Sequence, residues 1–129
     1  YDIIATDEKG RHISVQVKAG RFASWHFGNI TDFCDITFDN KRQIVGEPKA
    51  CPVRRLVVVF VIIEEDGNDR FHVLTWRRLR DLMIKGYRAF LQKHDGVRPQ
   101  RWDSLHCAIT EKTLRPYLNK WDTIEKHLK

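Results

Sequence analysis

Asp2, Gln16 and Lys18 are the residues whose types and spacing suit chemistry. A carboxylate, an amide and a lysine on one face of a β-hairpin can serve phosphodiester hydrolysis. A hard divalent cation such as Mg2+ prefers oxygen ligands and keeps several waters. Asp2 would anchor it, and the oxygen of Gln16 would be a neutral ligand. The backbone carbonyl of Val17, between the two side chains, is a further donor. A cation so held polarises a phosphoryl oxygen and acidifies a bound water. Lys18 would hold or deprotonate that water, or steady charge in the transition state. The bland alternative is a solvated hairpin face with a surface ion pair, worth about 0–1 kcal/mol.

The elements that must position these residues follow from the pattern. "YDIIAT" and "HISVQVKA" read as strands flanking "DEKGR", where Gly10 offers the positive φ of a tight turn. A turn centred near Lys9 pairs residues whose numbers sum to about 18, by the opposition rule of antiparallel strands. Ile4 then faces Ser14, Thr6 faces His12, and Asp2 faces Gln16. Val15, Val17, Ile3 and Ala5 take the other face. "SWHF" and "DITF" read as short strands, and Gly46, Pro48 and Pro52 as a loop. "LVVVFVII" is apolar on both faces and predicts a central, covered strand. It is too short to cross a bilayer, which takes about 20 helical residues. "DGNDR" turns it back into "RFHVLTW".

Leu79, Leu82, Met83, Tyr87, Phe90 and Leu91 recur at helical spacing. Thr75 is placed to cap that helix and Gly96 to end it. "LHCAIT" predicts a strand. "TEKTLRPYLNKWDTIEKHLK" predicts one final helix, disturbed only locally by Pro116. The expected fold class is α+β: a mixed, largely antiparallel central sheet with flanking helices, in one domain over residues 1–129.

With these pieces in order, the chain resembles the PD-(D/E)XK nuclease superfamily. Asp2 with Gln16-Val17-Lys18 matches its D…(E/Q)xK core. "YDIIATDEKGR", "VQVKAG" and "SWHF" look like a poorly characterised bacterial group within it. The resemblance implies a restriction-endonuclease-like core and Mg2+- or Mn2+-dependent cleavage of nucleic acid, DNA favoured. It places Asp2, Gln16 and Lys18 at the site. Two departures stand out. Tyr1, not proline, precedes Asp2, and the sequence has no residues where members usually carry an acidic helix upstream of the aspartate, so the expectation is either a fragment or an incomplete site. A nuclease fold that binds nucleic acid or a protein partner without cleaving it is the alternative.

Charge agrees with a polyanionic partner: 23 Lys and Arg against 17 Asp and Glu, net +6. Candidate contacts are Trp25, by stacking, Arg77 and Arg78 at a helix N-terminus, and Arg98 and Arg101 in a basic loop. Trp25 reads more readily as core, and Trp102 and Trp121 read as core. His26 beside Trp25 reads as a surface residue or a proton shuttle. Three scattered cysteines without a CxxC pair argue against structural zinc and disulfides, and read as buried hydrophobes in a reducing, cytoplasmic setting. No membrane role is expected, and a homodimer is left open.

Overall fold

Strand alternation and turn chemistry produce the elements largely where the pattern places them. The computed structural model describes residues 3–128. It divides into two units, one of Tyr1–Trp25, Cys51–Leu79 and Thr110–Lys129, the other of His26–Ala50 and Arg80–Ile109.

The first unit holds a four-stranded sheet. Numbered in chain order, its strands are β1 (Ile3–Thr6), β2 (His12–Gly20), β6 (Leu56–Ile62) and β7 (Arg70–Thr75), in spatial order β1-β2-β6-β7. The β1–β2 hairpin pairs Ile3 with Val15, Ile4 with Ser14, Ala5 with Ile13 and Thr6 with His12. These are the pairs a sum of 18 predicts. Gly10 turns the hairpin at φ 77, and Asp7 accepts the backbone N–H groups of Lys9 and Arg11. β2 then runs parallel to β6, and β6 antiparallel to β7, so the sheet is mixed.

All seven residues of β6 are buried, as expected for a central strand covered on both faces. On one face Ile13, Val15, Val57, Val59, Val61 and Val73 form a cluster closed by Leu128, with Val17 and Ile124 packed against it. Full burial of each such side chain contributes about 1.5–3 kcal/mol. The helix α3 (Asp122–His127) brings Ile124 and Leu128 to this cluster.

The single last helix expected from the sequence is not formed. The chain makes one turn of α2 (Glu111–Leu114), a 3-10 turn (Arg115–Tyr117), and then α3. Pro116 has no N–H to continue the helical ladder, Leu118 is extended, and Asn119 sits at φ 55. The break lets Asn119 N–H donate to the Phe71 carbonyl at 2.8 Å, beside a bridge between His72 and Leu118. The edge of β7 is thereby covered. It also leaves Trp121 45% exposed, against the expectation of a core residue.

The second unit contains most of a two-stranded ribbon of β3 (Ser24–Asn29) and β8 (His106–Thr110), and a hairpin of β4 (Cys34–Asp39) and β5 (Arg42–Pro48). β5 was not expected, because Gly46 and Pro48 read as loop residues. Asn40 at φ 57 makes the turn, and Gly46 lies where a Cβ would crowd Asp35. The long helix α1 (Trp76–Lys93) runs into this unit. The Arg78 N–H donates to Thr75 Oγ1 at 3.2 Å, which is the predicted cap. At the other end the Gly96 N–H closes on the Leu91 carbonyl at 2.7 Å. Buried Gln43 ties the loop to the hairpin. Its amide donates to the carbonyls of Trp102 and Ser104 at 2.9 and 2.8 Å and accepts from Tyr87 Oη at 2.6 Å. Trp102 is 39% exposed, again not core. Cys34 and Cys107 are buried as expected, whereas Cys51 is exposed.

Candidate functional site

Gln16 and Lys18 stand two residues apart on β2 and so share a face. Both are half-buried. Across the sheet Gln16 pairs with Val58, and Val58 with Leu74. Lys18 pairs with Phe60, and Phe60 with His72. Lys18 and His72 therefore lie in one row, two strand spacings or about 10 Å apart. Val17 takes the opposite face and packs on the aliphatic cluster. Only its backbone could serve as a donor, and a strand's carbonyls lie in the plane of the sheet. Asp2 lies outside the described residues. The four pairs that are described set the register of the hairpin up to Ile3 and Val15.

Trp25 is 5% exposed. Its ring centroid is 5.1 Å from that of Phe60 and 6.0 Å from that of His72. Gly20 gives it room, since a Cβ there would come 3.3 Å from Trp25 Nε1. Trp25 is thus core, with no face open for a base, and its Nε1 has no hydrogen-bond partner among the described residues.

A polar network on this face was not seen in the sequence. Arg70 grips Glu111 with two bonds, Nε to Oε2 at 2.7 Å and Nη2 to Oε1 at 3.2 Å. Its Nη1 donates to Glu64 at 2.5 Å. Fully buried His72 has Nδ1 3.2 Å from the Phe60 carbonyl. Its Nε2 is 3.2 Å from Glu111 Oε2, an ion-pair distance without hydrogen-bond alignment. The Arg70 hydrogen bonds hold the Glu111 carboxyl below the usual range, against a smaller opposing effect of burial. Glu111 lies 41 residues from Arg70, and no local spacing links them. In sequence it reads only as an acidic residue in a helix first turn.

Among the described residues no group of three or more His, Cys, Asp or Glu side chains is placed to hold a metal ion. On the β2 face the described side-chain oxygen donor beside Lys18 is Gln16, and Glu111 is already committed to Arg70. The described residues of the β2 face do not by themselves make a complete divalent-cation site.

The basic candidates divide between the units. Arg77 and Arg78 are exposed at the start of α1 in the first unit. Arg98 and Arg101 belong to the second. Arg98 is half-buried and structural, with Nη1 donating to the carbonyls of Ser104 and His106 at 3.0 and 2.7 Å. Arg101 is open to solvent, 3.7 Å from Asp103. No helix among the described residues is long and apolar enough to cross a membrane. Comparison with protein-family models, curated proteins and solved structures gives no match.

Proposed function

We propose that the chain is a divalent-metal-dependent nuclease with a PD-(D/E)XK-like core, acting on nucleic acid and on DNA by preference. The observation that supports this reading is the shared face of Gln16 and Lys18, in a hairpin whose register follows the predicted sum. When bound, Mg2+ or Mn2+ would polarise the phosphoryl oxygen and acidify a water. Gln16 would offer a neutral oxygen toward the cation held by Asp2. The Lys18 ammonium, half-buried beside Phe60, would orient the attacking water or meet the charge growing on the phosphate. Arg77 and Arg78 would contact the backbone of the substrate.

The test is cleavage of end-labelled duplex DNA, single-stranded DNA and RNA with Mg2+, Mn2+ or EDTA. Asp2→Ala should abolish metal-dependent cleavage, and Lys18→Ala should slow it about 10²- to 10³-fold, the usual cost of one transition-state donor. Cleavage that is unchanged in Lys18→Ala sinks the assignment. A second reading is a binding module on the same fold. It is favoured by the neutral Gln16 and by the commitment of Glu111 to Arg70. Nucleic-acid binding that survives both substitutions, without cleavage in any metal, selects it.

A further inference from the structure

The second unit carries a different pair of groups. His26 on β3 and His106 on β8 are exposed, on neighbouring strands of the ribbon. His26 Nδ1 and His106 Nε2 are 2.7 Å apart, with ring centroids at 4.8 Å. The two ring nitrogens share a hydrogen bond, one ring's N–H donating to the other's lone pair, with no other group between them. The strands hold them there: Trp25 and Phe27 turn to the other side of β3, and Cys107 and Ile109 to the buried side of β8. Arg98 Nη1 fastens the His106 carbonyl.

The pair opens on a cleft of about 280 Å³. Helix α1 forms one wall, through Met83, Gly86 and Phe90. Gly86 is not there for packing, since a Cβ at that position would meet nothing within 4 Å. A mid-helix glycine costs about 1 kcal/mol relative to alanine, and here it keeps the wall low.

We propose that His26 Nδ1 and His106 Nε2 form a two-point site for a borderline divalent transition metal, Cu2+, Ni2+ or Zn2+, whose other positions open into this cleft. Imidazole nitrogens suit these ions. Two nitrogens each about 2.0–2.1 Å from a metal, at an ordinary angle, are about 3 Å apart. The ion would replace the proton the two nitrogens share; they would part by a few tenths of an ångström, from 2.7 Å, and each ring would turn its lone pair to the metal. Cys107 also lines the cleft, but its side chain is buried and its Sγ donates to the Gly28 carbonyl at 3.7 Å. The protein thus supplies two ligands, consistent with the lack of any described three-residue group. Arg98 also lines the cleft, its guanidinium 5.4 Å from the Phe90 ring centroid. Its charge opposes a bare dication, so the completing ligand is an anion: hydroxide, carboxylate or phosphate.

The test is titration of the full chain with Cu2+ against a competing chelator, with electron paramagnetic resonance of the bound ion. Wild type should bind one equivalent with the hyperfine pattern of two nitrogens. His26→Ala and His106→Ala should each weaken it about 100-fold, because a two-point attachment becomes a single one. His12→Ala, an exposed histidine of the first unit, should change nothing. Both rings are exposed, and circular dichroism checks that the variants fold. Should His106→Ala lose structure, His26→Ala alone decides. No saturable binding, a one-nitrogen pattern, or equal affinity in wild type and His26→Ala overturns the proposal.

Discussion

Two glycines at helix α1 should respond to the same substitution with opposite signs. Gly86 lies in the middle of the helix, and its missing Cβ would point into open space. Gly86→Ala should therefore stabilise the fold by about 0.5–1 kcal/mol, the propensity difference alone. Gly96 ends the helix at φ 83. An alanine there accepts a left-handed backbone, costing about 1–2 kcal/mol. Its Cβ would also come 2.5 Å from Arg42 Cγ and 3.1 Å from Cδ. Arg42 must then swing away and give up the bond from Nε to the Asp95 carbonyl at 3.2 Å, about 0.5–1.5 kcal/mol. Gly96→Ala should cost about 2–3 kcal/mol in all. The two variants would then differ by roughly 10 °C in Tm for a chain of this size. Urea and thermal unfolding followed by circular dichroism give both values. An Arg42→Ala background separates the two costs, because there Gly96→Ala should lose only the backbone part. If it costs the same with and without Arg42, the steric argument is wrong. If Gly86→Ala destabilises, the open space beside the helix is not there.

Cys51 is exposed while Cys34 and Cys107 are buried with thiols held protonated by burial. A disulfide reagent should titrate one thiol quickly in the native protein and the other two only in denaturant. Glu111 has its folded pKa lowered chiefly by Arg70. Its contribution is therefore present above the ordinary glutamate range and lost as pH falls through the lowered folded value. Glu111→Gln should destabilise at neutral pH and flatten the acid limb of a stability–pH curve; an unchanged limb would show that the Arg70 clamp is not formed. Leu79 is fully buried, and Leu79→Ala should cost about 2–5 kcal/mol in urea unfolding.

The strands that alternate cleanly were legible. The sum-of-18 hairpin, the doubly buried Leu56–Ile62 strand and the Thr75 cap all follow from side-chain period and turn chemistry. The misses have one cause, which is that long-range partners override local pattern. β5 forms despite Gly46 and Pro48 because Gln43 N–H reaches the Gly96 carbonyl and its side chain reaches Trp102 and Ser104. The last helix breaks because Pro116 and Asn119 let the chain pair with Phe71 on β7. For the same reason the site was legible only in part. Gln16 and Lys18 belong to one strand, and their spacing shows their shared face. The Arg70–Glu111–His72 network and the His26–His106 pair join residues 41 and 80 positions apart, which no periodicity reports.

The strand that carries Gln16 and Lys18 has neighbours at very different distances along the chain. Ser14 meets Ile4 across a short turn, but Gln16 meets Val58 only after about 40 residues that run through the second unit. Hairpins close in about 1–10 μs, while a parallel pair must first bear the entropy of a long loop. Folding should therefore present the polar face of β2 early and set Val58 and Phe60 beside it late. During synthesis the edge of β2 emerges with its eventual partner still unmade. For that interval it is open to pairing with another chain, and the speed with which Leu56–Ile62 arrives determines how long the hazard lasts.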